Sequence, residues 1–158
     1  MLFSSFAVLL SFQRENLLKG VGQIVSFSIR DESLHSTGGC WLFNQLCSEQ
    51  EGLRERVELD IIQAAHVVYN LEKKFIDNLF QDSFIRTLNP YDLKQFIKHR
   101  INMKLTELGY QSIFPTDPES ITRMSWFDSL SAGREFGDFF GTRVSEYTHI
   151  SYQTEDLF

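Results

Sequence analysis

Apolar residues recur at spacings of three and four along most of the first 108 residues, which is the period of an α-helix and not of a strand. We therefore predict an all-α arrangement. Its helices are expected from the N-terminus to about residue 18, from about 21 to 47, from 53 to 79 and from 90 to 108. The third helix has the most regular apolar spacing, through Leu53, Val57, Ile61, Ala64, Val68, Leu71, Phe75 and Leu79.

Residues that interrupt or start helices lie between these segments. Gly20 and Gly22 indicate a tight corner between the first two helices, and residues 48–52 form a polar connection to the third. Asn89 followed by Pro90 is typical of a helix start, because the asparagine side chain can cap the backbone and proline tolerates the first helical position.

The pattern changes after the fourth helix. Gly109 is expected to end that helix, because glycine readily adopts the left-handed conformation found at helix ends. From residue 111 onward, prolines, glycines and clustered aromatic residues replace the helical spacing. We predict a helical region over 1–110 and an irregular C-terminal tail over 111–158 that packs through its aromatic side chains. Trp126 is expected to serve in that packing and not in catalysis.

The composition limits the class of protein. A chain of 158 residues with 42% hydrophobic content can bury one core, so a single domain is expected. The formal net charge of −6, without clustered Lys and Arg, argues against a nucleic-acid interface. Cys40 and Cys47 would lie roughly 10 Å apart on a helix, too far for a disulfide. These features favour a reduced, cytoplasmic setting.

The N-terminal segment up to Phe12 is strongly apolar. It lacks the basic region and the cleavage pattern of a signal peptide, and it is too short to span a membrane. Native termini rarely expose so many large apolar side chains without cover. We therefore expect this segment to be a helix that belongs to a larger core.

The sharpest chemical signal lies in the second predicted helix. Glu32 and His35 are three residues apart, so a carboxylate and an imidazole share one helix face, about 60° apart, and could bind one metal ion. The ordinary alternative is a solvated glutamate beside a partly buried histidine. Glu146 and His149 repeat the spacing, but no apolar period surrounds them, and we interpret that match as chance. His66 is assigned no role.

The sequence around Glu32 is similar to a segment of the ribonucleotide reductase small subunit. The family signature Arg-Asp-Glu-x-x-His is matched from Arg30 to His35, and the glycine ten residues before the arginine is matched by Gly20. Upstream, Leu2 and Phe6 stand at the two aromatic positions of the family's Phe-x-x-x-Phe stretch, with leucine replacing the first.

Later segments follow the family's order as well. Residues 79–89, residues 94–97 and the helix end at 105–109 match, and residues 138–147 resemble the family's Asn-Phe-Phe-x-x-Arg-Val-x-x-Tyr, which ends here on Tyr147. The resemblance therefore covers essentially the whole chain.

The resemblance implies a ferritin-like helical bundle and a role for each matched residue. Glu32 and His35 would be ligands in a di-iron centre, with manganese as the less favoured metal, and Phe6 would line the apolar side of its pocket. Asp31 would hydrogen-bond a ligand histidine. Tyr147 would pass an electron and a proton towards the large subunit.

The resemblance also implies partners. Glu155, Asp156, Leu157 and Phe158 are similar in composition to the C-terminus by which the family docks on the large subunit, a segment that folds on binding. Full-length members form homodimers, so a homodimer is possible here. No membrane partner is expected.

Most of the family's metal ligands have no counterpart in this chain. An early aspartate, a first Glu-x-x-His pair, a further glutamate and the radical tyrosine are missing, and that further glutamate would fall two residues before Met1. The bundle is thus expected to be partial. An N-terminal part must complete it, either because this chain is a fragment or because it is the product of a split gene.

We therefore predict part of the small subunit of ribonucleoside-diphosphate reductase, an oxidoreductase, inactive when this chain is alone. The alternative is a truncated, non-catalytic module that binds the large subunit as a decoy or assembly factor. Another ferritin-like oxidase is disfavoured, because such an enzyme has no need of the Tyr147 motif or of a docking tail.

Overall fold

The computed structural model describes residues 3–132. Within that range the chain is built from helices, which confirms the all-α prediction. The six helices are α1 (Phe3–Gln13), α2 (Lys19–Glu49), α3 (Leu53–Leu79), α4 (Pro90–Glu107), α5 (Pro118–Met124) and α6 (Trp126–Ala132).

The boundaries of α4 follow the expected capping chemistry. The side-chain oxygen of Asn89 accepts a hydrogen bond of 2.7 Å from the backbone N–H of Tyr91, and Pro90 occupies the first turn. Beyond the other end, Gly109 has a φ of +86°, and the backbone N–H of Tyr110 donates to the carbonyl of Leu105. Both predicted ends of this helix are thereby confirmed.

The corner between α1 and α2 differs from the prediction. Helix α1 ends at Gln13, and the chain turns through Asn16 and Leu18, whose φ angles are 59° and 49°. Gly20 and Gly22 lie inside α2 and do not form the turn. A Cβ atom on Gly22 would lie only 2.6 Å from Oε1 of Gln13, so this glycine allows α1 and α2 to approach closely.

Helix α1 lies at the centre of the core, where it contacts α2, α3, α4 and α6. The apolar side chains that are fully removed from solvent come from four helices and are Ala7, Leu10, Ile76, Leu93, Ile97 and Phe127. Helix α1 is apolar on several sides, and each of its residues is buried or half-buried.

Part of the expected irregular tail is helical. Residues 118–132 form α5 and α6, because Asp117 caps α5 and Phe127 is buried in the core. The Phe127 ring lies 4.9 Å from that of Phe96 and 6.1 Å from that of Phe3, so aromatic packing holds α6 in place. Residues 133–158 lie outside the described part, and the boundary at 110 stays a prediction.

An ion pair between the buried Asp92 and the exposed Arg123 joins α5 to α4. Asp92 accepts hydrogen bonds from Nε and Nη2 of Arg123, at 2.9 and 2.8 Å, and from Oγ of Ser120 at 2.7 Å. The hydrogen bonds from Arg123 lower the pKa of the Asp92 carboxyl, against the opposing effect of burial. The carboxylate is thus held in its charged form.

Helices α2 and α3 form a hairpin in which Phe43, Ile61 and Ile62 are half-buried against the core. The buried residues of α2 lie between Gly20 and Ile29, and those of α3 lie between Ala65 and Ile76. No residue from Asp31 to Ala64 is buried. We call this stretch, residues 31–64, the uncovered hairpin. It exposes the large apolar side chains Leu34, Trp41, Leu42, Leu46 and Leu59.

In the part of the chain that the structure describes, no helix combines the length and the apolar character needed to cross a bilayer. Cys40 and Cys47 both lie on α2 as half-buried free thiols, as predicted. Burial, followed by a hydrogen bond with Glu107, raises the pKa of the Cys40 thiol, so the protonated form is favoured there.

Candidate metal-binding helix

The Glu-x-x-His motif lies in the middle of α2, where the uncovered hairpin begins. Asp31, Glu32 and His35 are all exposed. Because the helix is continuous here, Glu32 and His35 share one face, about 60° apart. Among residues 3–132, none of these three side chains has a hydrogen-bond or ion-pair partner.

Neighbouring hydroxyl groups on α2 are satisfied by the helix itself. Oγ of Ser33 donates to the carbonyl of Ile29 at 2.7 Å, and Oγ1 of Thr37 donates to the carbonyl of Ser33 at 2.9 Å. These side chains therefore do not compete for the carboxylate and the imidazole of the motif.

The donor set suits one side of a metal centre. A carboxylate and an imidazole are both ligands that iron and manganese accept. Within the described residues, however, no group of three or more His, Cys, Asp or Glu side chains could hold a metal ion. Glu32 and His35 thus match two of the ligands that such a centre would need, and the described residues place no third ligand beside them.

Of the other predicted site residues, only Phe6 lies in the described part of the chain. Phe6 lies on α1, half-buried and packed against the core, and its position beside a metal pocket stays a prediction. Tyr147 and the docking segment Glu155, Asp156, Leu157 and Phe158 lie outside the described residues, as does the second Glu-x-x-His match.

His66, which was assigned no role, is exposed on α3. Its ring meets that of Phe114 edge-on, with 5.1 Å between the ring centres. Trp126 lies under the guanidinium group of Arg14, 4.8 Å from the ring centre.

Sequence reasoning did not single out Glu72, a buried carboxylate on α3. Its Oε2 accepts hydrogen bonds from the backbone N–H of Ser4, at 3.3 Å, and from the Ser4 hydroxyl. Its Oε1 is buried and has no hydrogen-bond partner within the described residues. Spacing could have indicated this position, since Glu72 shares a helix face with the buried Ala65 and Ile76.

The helical fold is that of a ferritin-like protein, and α2 carries the Glu-x-x-His spacing. Residues 1–121 match the family described as ribonucleotide reductase, small chain. The chain belongs to that family.

Several curated relatives are named as small or beta subunits of ribonucleoside-diphosphate reductase. The chain is 31% identical, over 95% of its length, to a probable ribonucleoside-diphosphate reductase small subunit of Invertebrate iridescent virus 3, and 30% identical to that of Invertebrate iridescent virus 6. A ribonucleoside-diphosphate reductase subunit beta of Chlamydia pneumoniae is 23% identical over 92% of the chain. The chain spans 40%, 48% and 41% of the lengths of these three relatives.

Proposed function

We propose that this chain supplies the C-terminal part of the small subunit of ribonucleoside-diphosphate reductase. The observation that carries the proposal is the exposed Glu32 and His35 pair, on one face of α2, in a chain of this family. The lengths of the relatives support it, because more than half of each lies outside the matched region.

In this proposal Glu32 and His35 hold a di-iron centre together with ligands from an N-terminal part, with manganese as the less favoured metal. Glu32 would supply carboxylate oxygens and His35 an imidazole nitrogen as ligands to that centre. When bound, the centre would activate molecular oxygen as an oxidant.

Asp31 immediately precedes Glu32 and therefore lies about 100° away from it around the helix. In the proposed assembly its carboxylate accepts a hydrogen bond from the ring N–H of a ligand histidine. That hydrogen bond fixes the tautomer of the histidine that binds metal. Tyr147 passes an electron and a proton towards the large subunit. Phe6 keeps water from the metal pocket.

The ribonucleotide substrate binds the large subunit in this proposal, and not this chain. Residues Glu155, Asp156, Leu157 and Phe158 dock on that subunit through two terminal apolar side chains preceded by acidic ones. Removal of these four residues should abolish binding to the large subunit without changing the helical content, as measured by pull-down and circular dichroism.

Metal content is the direct test of the site. The chain is co-expressed with an N-terminal part of a small subunit as a separate polypeptide, and iron and manganese are measured in the purified complex. We expect two metal ions per complex, and their loss in both Glu32→Ala and His35→Ala, because neither remaining donor can complete the centre.

Two exposed residues of α3 provide matched controls. Glu58→Ala and His66→Ala remove the same chemical groups away from α2 and should leave the metal content unchanged. A stable complex that binds no metal would contradict the catalytic proposal, and the non-catalytic binding module would then stand in its place.

A further inference from the structure

A cleft of about 410 Å³ lies between the end of α1, the connection from α3 to α4, and helices α5 and α6. We call it the arginine cleft, because its charged lining consists of Arg14, Arg86 and Arg123 with a single carboxylate, Asp92. This lining is basic in a chain whose formal net charge is −6. A concave surface that carries one sign of charge concentrates ligands of the opposite sign.

Arg123 is already neutralised within the protein. It donates to Asp92 through Nε and Nη2, and its guanidinium nitrogens also lie 3.6 Å from a carboxylate oxygen of Glu119 and 3.7 Å from one of Asp117. The positive charge that a ligand can use therefore comes from Arg14 and Arg86.

Arg14 is held in position by two contacts. Its Nη1 donates a hydrogen bond of 2.8 Å to the carbonyl of Thr87, and its guanidinium carbon lies 4.8 Å from the centre of the Trp126 ring. Among residues 3–132, no carboxylate forms an ion pair with Arg14, so its remaining N–H groups are left for another acceptor. A side chain that is already ordered loses less conformational entropy when a ligand binds.

Arg86 and Asn89 add donors from the connection between α3 and α4. The Arg86 side chain is 82% exposed, and its Nε lies 3.5 Å from Oε1 of Glu15, so this ion pair contributes little. Oδ1 of Asn89 caps α4, whereas its amide nitrogen donates to no other described residue. Two guanidinium groups and one amide thus border the same cleft with N–H groups to spare.

We infer that the arginine cleft binds the phosphate group of a small molecule. A phosphate monoester carries up to about two negative charges and three acceptor oxygens, so it can bind two guanidinium groups and an amide together. A carboxylate has only two oxygens and one charge. Neither Glu32 nor His35 lines the cleft, so the inference does not depend on the metal site.

The rest of the lining favours an organic phosphate over inorganic phosphate. Leu88, Met124 and Trp126 present apolar side chains to the cleft. The volume of about 410 Å³ is that of a small-molecule site and exceeds the space that a phosphate group fills. The apolar side chains would therefore cover the organic part of the ligand.

The test is isothermal titration calorimetry on the full-length chain. Inorganic phosphate, adenosine diphosphate and uncharged adenosine are titrated separately at low ionic strength, and again at about 0.5 M NaCl, which screens exposed charges. We expect both phosphate probes to bind, adenosine diphosphate more tightly, and both to weaken in salt. Adenosine should bind at least about tenfold more weakly than adenosine diphosphate, because it lacks the phosphates.

Arg14→Gln and Arg86→Gln should each weaken the binding of adenosine diphosphate about tenfold, because each removes charge-assisted hydrogen bonds. Arg56→Gln is the matched control. Arg56 is exposed on α3, donates to the backbone carbonyl of Glu51 and lies outside the cleft, so its substitution should change the affinity by less than about twofold. Because Arg86 is so exposed, Arg86→Gln should keep the wild-type melting temperature, and its loss of binding is then not a loss of folding.

Equal affinities for inorganic phosphate and adenosine diphosphate would support a site for free phosphate, and tighter binding of adenosine diphosphate supports an organic phosphate. The inference is overturned if neither probe binds, if adenosine binds as tightly as adenosine diphosphate, or if Arg56→Gln weakens binding as much as Arg86→Gln. A synthetic peptide of residues 153–158 that binds more tightly than either phosphate probe would assign the cleft to carboxylates and would also overturn it.

Discussion

The buried carboxylate of Glu72 links α3 to the beginning of α1. We expect Glu72→Ala to lower the free energy of unfolding by about 1–3 kcal/mol, because the backbone N–H and the hydroxyl of Ser4 would lose their acceptor. Urea denaturation followed by circular dichroism measures the change. Glu58→Ala, at an exposed position of the same helix, should have an effect within about 0.5 kcal/mol.

The Asp92 and Arg123 pair predicts a dependence of stability on pH. Because Arg123 lowers the pKa of Asp92 below its ordinary value of 3.8, the ionised carboxylate stabilises the fold at pH values above about 4. This contribution is lost as the pH falls through the lowered pKa. The stability difference between wild type and Asp92→Asn should therefore shrink below about pH 4, in denaturation curves recorded at several pH values.

At the scale of residues, the sequence predicts which side chains share a helix face better than it predicts tertiary contacts. The pairing of Glu32 with His35 follows from helical spacing alone, so it needed no tertiary information. Glu72 could be predicted as buried from its register with Ile76, but its contact with Ser4 joins residues far apart in the chain. Such contacts depend on how helices pack, which spacing within one helix does not determine.

Among the elements, α6 depends on a single aromatic anchor. Phe127→Ala should lower the free energy of unfolding by about 3–5 kcal/mol, because a fully buried phenylalanine leaves a cavity between α1, α4 and α6. Phe84→Ala is the matched control, since Phe84 is 86% exposed, and should change stability by less than about 0.5 kcal/mol. Equal effects of the two substitutions would contradict the placement of α6.

Element boundaries were predictable where side chains cap the backbone. Asn89, Pro90 and Gly109 mark both ends of α4, since each has a local reason to stand there. The corner after α1 was misplaced, because Asn16 and Leu18 both adopt left-handed conformations, which asparagine favours more than most residues and leucine rarely adopts. Leucine at such a position carries no signal in the sequence.

For the molecule as a whole, the uncovered hairpin predicts uneven local stability. In the isolated chain, backbone amides of residues 31–64 should exchange hydrogen faster than those of α4, because no buried side chain secures them. Hydrogen exchange followed by mass spectrometry measures this. On binding an N-terminal part, amides of the second half of α2 should become protected while those of α4 change little. Equal exchange rates for residues 31–64 and for α4 in the free chain would contradict the expected difference in local stability.

The exposure of Trp41 allows binding at the uncovered hairpin to be followed by tryptophan fluorescence. The chain has two tryptophans, Trp41, 65% exposed on the uncovered hairpin, and Trp126, half-buried beneath Arg14. The indole of Trp41 is therefore surrounded by solvent. Its fluorescence emission should shift to shorter wavelength when a partner excludes solvent from the hairpin. In a Trp126→Phe variant that emission comes from Trp41 alone, so the emission wavelength reports whether a partner covers the uncovered hairpin.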